Sequence, residues 1–221
     1  IQATVRYRMP EEHDFYCLTS PTPFRKSKSL TDGFTFSNFE TNEKFTLVNP
    51  DISKNKWIDF NPFYSQEISP SQKTDYLDAV NQIIDRINEN EFQKVVYSRI
   101  KSVEKKPDFD LENTFNALCT KYPDAFVYCL SSEETGTWIG ASPELLLSQD
   151  EDNFQTKSLA GTRISLVEWT DKERNEQQVV TDYITNVLSE FSTEIQISEA
   201  YDAQAGEVFH LKSDINFKLK S

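Results

Sequence analysis

Glycine is scarce. The 221 residues hold five, Gly33, Gly136, Gly140, Gly161 and Gly206, and neither a G-x-G-x-x-G nor a Walker loop can be written from them. A G-x-S-x-G nucleophile elbow is missing as well. His13 and His210 are the two histidines, which excludes a histidine-rich metal centre. The three cysteines (Cys17, Cys119 and Cys129) are odd in number and widely spaced, so neither a disulfide framework nor a structural zinc site follows from them. They read as reduced core thiols, which suits a cytoplasmic protein. No apolar run approaches the length of a membrane span, and no secretory signal opens the chain. The first residue is Ile1 rather than Met, so the natural N-terminus is expected to lie elsewhere.

Positive charge is also in short supply. Lys and Arg number 23 against 36 Asp and Glu, a net charge of -13. That balance argues against broad capture of nucleic acid or of an anionic membrane surface. A small anionic ligand would need a metal ion or a local cationic pocket. What is present is apolar and aromatic: 37% hydrophobic residues, with Phe 16, Tyr 9 and Trp 3, too many for a disordered acidic chain. The length suits one large domain or two small ones.

Residues 1–70 show short apolar alternations broken by turns: Phe34, Phe36 and Phe39, then Phe45 and Leu47, with Thr31-Asp32-Gly33 as one turn. The stretch 49–70, punctuated by Pro50, Pro62 and Pro70, reads as a long connection. At Ser71, a plausible N-cap, helical spacing begins with Tyr76, Leu77, Val80, Ile83, Ile84 and Ile87. Strands are expected at 94–100, 125–130, 137–141, 144–148, 154–159, 195–198 and 207–217, with helices from Asp110 through Cys119 and over 171–191. Helices separated by hairpin-linked strands indicate an α+β protein with antiparallel sheet. The boundary at 70/71 divides a β-rich N-terminal portion, 1–70, from the remainder, 71–221.

A few residues break this pattern. Lys94 opens the strand 94–100, either as an edge lysine that discourages stray pairing or as a functional amine. Glu144 enters the apolar run Leu145-Leu146-Leu147; desolvation there would raise its pKa and let it donate a proton near neutrality, whereas a strand-end acid facing water would not. Glu176 shares a helical face with Val179, Val180 and Tyr183, and Glu173 lies one turn earlier. Two carboxylates so placed suit Mg²⁺, or Glu176 pairs with Lys172 or Arg174. Gly161 and Thr162 directly follow a strand, where backbone can approach a ligand or simply turn. His210, between Phe209 and Leu211, is more often a core histidine than a catalyst.

Five islands in order carry a resemblance: Phe92-Gln93-Lys94-Val95-Val96-Tyr97-Ser98-Arg99, Gly140-Ala141-Ser142-Pro143-Glu144-Leu145-Leu146-Leu147, Ser158-Leu159-Ala160-Gly161-Thr162, Lys172-Glu173-Arg174-Asn175-Glu176-Gln177-Gln178-Val179-Val180 and Val208-Phe209-His210-Leu211-Lys212. The sequence from Ser71 onward resembles the chorismate-utilising enzymes. The resemblance implies stacked antiparallel β-sheets with helices packed outside, Mg²⁺ as cofactor and chorismate as substrate. It assigns Lys94 to activating water for attack at C2, and Glu144 to protonating the departing C4 hydroxyl. Glu176 and Glu173 fall to magnesium, and Gly161, Thr162 and His210 to the substrate. Lysine at 94 favours water over ammonia. The expected activity is therefore isochorismate synthase, with salicylate synthase or a non-catalytic binding module on an inherited scaffold as alternatives. The family pattern continues past Ser221 with a second magnesium glutamate, a glycine-rich loop and substrate-gripping Tyr and Arg residues. The 221-residue stretch is accordingly expected to be inactive alone and prone to self-association through uncovered edges.

Overall fold

The computed structural model describes all residues except 1, 29–31, 38–42, 59–61, 64–68, 166 and 221. The expected positions Phe39 and Thr31 therefore lie outside the described residues. The chain forms two compact units, Ile1–Glu67 with Lys106–Pro143, and Ile68–Lys105 with Glu144–Ser221. Every strand pair in both is antiparallel. With three helices described, the fold is α+β as expected.

In the first unit, strands β1 (Ala3–Arg8), β2 (Tyr16–Ser20), β6 (Asp51–Lys54), β7 (Phe126–Ser132) and β8 (Gly136–Ser142) form one sheet in the order β6-β2-β1-β7-β8. A small sheet joins β3 (Arg25–Ser27), β5 (Lys44–Leu47) and β4 (Phe34–Ser37). Strand β6 lies inside the stretch expected to be a connection. Period-two alternation on β1 sends Ala3 and Val5 into one core with Leu18, Phe24, Leu47 and Leu130. Helix α2 (Leu111–Lys121) packs on β7 and β8 through Phe115, which is fully buried with Val127 and Cys129. Asp110 caps α2, its carboxylate accepting from the Asn113 amide at 2.7 Å.

Arg6 is buried on the same side as Phe115. It pairs across the ladder with Cys17 and Cys129, and its guanidinium lies 3.7 Å from the Phe15 ring centroid and 3.8 Å from that of Trp57. Aromatic faces thus take the place of hydrogen bonds for Nε and Nη1, which have no hydrogen-bond partner among the described residues. All three cysteines are free, as expected, and burial pushes the Cys129 thiol up to about 12.

The second unit carries helices α1 (Lys73–Asn88) and α3 (Asp171–Ser189), with strands β9 (Ser148–Asp150), β10 (Asn153–Arg163), β11 (Ser192–Ile197), β12 (Tyr201–Ala205) and β13 (Val208–Leu219). Its sheet runs β11-β13-β10-β9, and β12 also pairs with β13. Helix α3 lies against β10, β11 and β13.

Four local expectations need correction here. Ser71 does not cap α1: Gln72 is the N-cap, because the Ser71 hydroxyl accepts from the Ile100 amide at 2.9 Å while its own amide donates to the Ile100 carbonyl. Residues 94–100 are not a strand, despite their β-branched composition. The Ser71–Ile100 pair and a stacked Tyr76–Tyr97 contact at 5.2 Å hold this stretch instead of a ladder. Residues 144–147 are not a strand either. Pro143 offers no amide donor to continue the ladder, and Leu146 is 89% exposed. Lastly, the buried positions of α3 are Gln177 and Thr181, whereas Tyr183 faces out. The sheet presents Ser158 and Ser213 to that helix, so the matching face is polar.

Candidate active site

All seven residues singled out from the sequence fall in the second unit. Four of them meet at one place. Strand β10 bulges between Ala160 and Arg163, so that Gly161 and Thr162 together oppose His210 of β13. The His210 ring nitrogen Nδ1 lies 2.9 Å from the Gly161 carbonyl and 3.2 Å from the Thr162 hydroxyl. A carbonyl only accepts, so Nδ1 carries the hydrogen and Nε2 is left as an acceptor in the neutral ring.

Gly161 has φ +72, a left-handed conformation, and a Cβ there would sit 3.2 Å from both Cβ of Glu173 and the Trp169 ring. The absence of a side chain is what lets the N-terminus of α3 come this close. Thr170 and Glu173 form a capping box: Glu173 accepts from the Thr170 amide at 3.0 Å and from its hydroxyl. The Thr170 hydroxyl holds the Glu173 carboxyl below its ordinary range.

Glu176 stands one turn on. It sits at the edge of the packed face rather than on a buried apolar stripe, and pairs with Lys172 at 3.6 Å. Lys94 is half-buried in the segment after α1, and Glu144 is exposed in the connection after β8. Both are carried by segments outside the knot formed by Gly161, Thr162, His210 and Glu173. Among the described residues no group of three or more His, Cys, Asp or Glu side chains is gathered as a metal site. Glu173 and Glu176 nevertheless supply oxygen donors one helical turn apart, and Mg²⁺ commonly takes one or two protein carboxylates plus water and substrate. The donor chemistry fits that ion.

Sequence reasoning missed Arg163, Trp169 and Asp202. The Arg163 guanidinium meets Asp202 at 2.5 Å and lies 4.1 Å over the Trp169 ring. The Trp169 indole N–H also donates to Asp202 at 2.5 Å. Together they tie the connection before α3 to β12 and so fix the approach to Gly161. The available signal was an arginine directly after Gly161-Thr162 in an acidic chain.

A family model described as chorismate binding enzyme matches residues 37–221. The chain belongs to the chorismate-binding enzyme family. This member is 26% identical over 149 residues to the isochorismate synthase MenF of Bacillus subtilis, covering 67% of this chain and 31% of that protein. It is 28% identical over 116 residues to the isochorismate synthase EntC of Escherichia coli K12, covering 47% and 30% respectively. The aligned stretches therefore span under a third of either relative's length. Its fold matches that of MenF, the menaquinone-specific isochorismate synthase of Escherichia coli, with a TM-score of 0.76 at 13% identity over 99% of this chain and 65% of that one.

Proposed function

We propose that this chorismate-binding chain carries residues of an isochorismate synthase site, in which water adds at C2 of chorismate and the C4 hydroxyl departs. Lys94 is the base that takes the proton from water, for which it must be at least partly neutral. Glu144 is the acid that delivers a proton to the leaving hydroxyl. Glu173 and Glu176 would hold Mg²⁺, which would supply positive charge near a substrate carboxylate within a protein of net charge -13. The bulge at Gly161-Thr162 and the acceptor Nε2 of His210 orient the ring. The observation that carries this reading is the knot at the α3 N-terminus. A bulged glycine, a histidine of set tautomer and an acidic helix start converge there, in a family named for chorismate.

Calorimetric titration of the chain with chorismate tests it. Binding should strengthen with added Mg²⁺ and lose that dependence in Glu176→Gln. Binding indifferent to Mg²⁺ in both proteins sinks the metal assignment. In a turnover-competent protein carrying this stretch, Lys94→Ala should lower kcat by about 10²-fold or more with folding intact, and an unchanged rate removes Lys94 from the mechanism.

A further inference from the structure

An acidic chain that takes an anionic ligand needs local positive charge, and one such place lies outside the knot. On the second unit's sheet, Ser158 and Ser213 face α3 through their hydrogen bonds to Gln177. Alternation therefore puts Lys157, Lys212 and Asp214 on the opposite face. Lys157 Nζ and Lys212 Nζ each lie 3.9 Å from the same oxygen, Oδ1 of Asp214. Its other oxygen accepts from the Tyr201 hydroxyl at 2.8 Å.

Two cations thus share one anion, at distances well beyond the 2.7–2.9 Å of a charge-assisted hydrogen bond. Neither ammonium is fully paired, and the cluster keeps one positive charge. These side chains are only 17–28% exposed, so water screens that charge poorly. Burial, and then the neighbouring Lys212 ammonium, holds Lys157 below the usual lysine range. Lys212 also lies 5.1 Å from the centroid of the Tyr201 ring. His210 is two residues before Lys212 on the same face of β13, so the cluster adjoins the knot along the strand.

We infer that Lys157 and Lys212 form a binding subsite for the carboxylate of a small-molecule ligand, on the sheet face that carries His210. The subsite goes beyond the ring chemistry proposed above and does not depend on Lys94 or Glu144. A carboxylate placed between the two ammonium groups would relieve their mutual repulsion and complete the pairing that Asp214 leaves half made.

Lysine side-chain NMR of the full chain, titrated separately with benzoate and with chorismate, tests the inference. Saturable shifts are expected at both lysines, and Lys212→Met should weaken binding about tenfold. Asp214→Asn keeps an acceptor for Tyr201 but removes the competing negative charge, and should tighten binding severalfold. Lysine signals that stay fixed with both ligands, or looser binding in Asp214→Asn, overturn the subsite. Chorismate shifts confined to Gly161 and His210, with the lysines fixed under benzoate as well, overturn it while leaving the chorismate reading intact. Lysine shifts with benzoate but not chorismate uphold the subsite and count against chorismate as its ligand.

Discussion

The two helices that pack on sheets in this protein do so in opposite ways. Helix α2 buries Phe115 among Val127 and Cys129, a seam held by area and shape. Helix α3 buries Gln177 and Thr181. The Gln177 amide nitrogen lies 3.1, 2.9 and 3.0 Å from the hydroxyl oxygens of Ser158, Thr181 and Ser213. An apolar seam tolerates small slides, because one methyl contact replaces another. A hydrogen-bonded seam does not, since a shift of one residue leaves buried polar groups unpaired. The polar seam lies one turn beyond Glu173, and it sets where the helix start meets Gly161. The unit holding the candidate site therefore uses directional packing where position matters.

The largest way to break this contrast is Phe115→Ala. Deleting a fully buried ring should cost about 3–5 kcal/mol, read as a fall in the denaturation midpoint of the chain. A loss under 1 kcal/mol would mean that α2 is held by something other than that ring. Gln177→Ala is the matching test in the other seam. It strands the Ser213 hydroxyl and should cost about 1–3 kcal/mol. The sharper version is the triple change Gln177→Leu, Ser158→Ala and Ser213→Ala, which removes donors and acceptors together. It should return to within about 1 kcal/mol of the parent while weakening chorismate binding, because the helix loses its register. A triple variant as unstable as Gln177→Ala would show that the seam contributes stability rather than position.

The same contrast explains what could be read from the sequence. Elements with an adjacent partner were legible: the β7–β8 hairpin, the Asp110 cap of α2 and the long helix α3 all fall where composition and spacing put them. Elements defined by a distant partner were not. Residues 94–100 have the right composition for a strand and no ladder, whereas β6, Asp-Ile-Ser-Lys, lies in a stretch that reads as a connection and becomes a strand by pairing with the distant β2. Strand β12, Tyr-Asp-Ala-Gln-Ala, is the exception among neighbours: it pairs with the adjacent β13, but its composition is too poor to show it. Hydropathy also misjudged α3, because it looks for an apolar stripe and the packed face is Gln and Thr. Of the two sequence readings of Glu176, the structure has the one that pairs it with Lys172 at the edge of the packed face. In the candidate site, Gly161, Thr162 and His210 stood out as a rare glycine at the expected end of a strand and a histidine in a late one, although β10 runs on through Gly161 and Thr162 to Arg163. Asp202 and Trp169 were invisible, since each matters through partners elsewhere along the chain: Arg163, Gly161 and one another.

Gly161→Ala probes the same helix start from the sheet side. The position is left-handed, and the added methyl meets Glu173 and Trp169 at 3.2 Å. A loss of about 1–2 kcal/mol is expected, smaller than that for Phe115→Ala because a tight contact and a left-handed backbone cost less than an emptied core. Chorismate affinity should fall with it. Stability lost with affinity unchanged would detach the bulge from ligand binding.

The smallest effect is electrostatic and has a definite sign. The folded carboxyl of Glu173 titrates below its ordinary range because Thr170 donates to it. Its contribution is therefore fully present above the ordinary glutamate range and is lost as the pH falls through the lower folded value. Thr170→Ala removes the hydroxyl donor but keeps the backbone one, so the Glu173 titration should move part of the way back up without reaching the ordinary value. Carboxyl-carbon NMR across the acid range measures this directly. A Glu173 titration unmoved by Thr170→Ala would mean that the hydroxyl is not what lowers it, and that the acidic start of α3 owes its charge to the helix end itself.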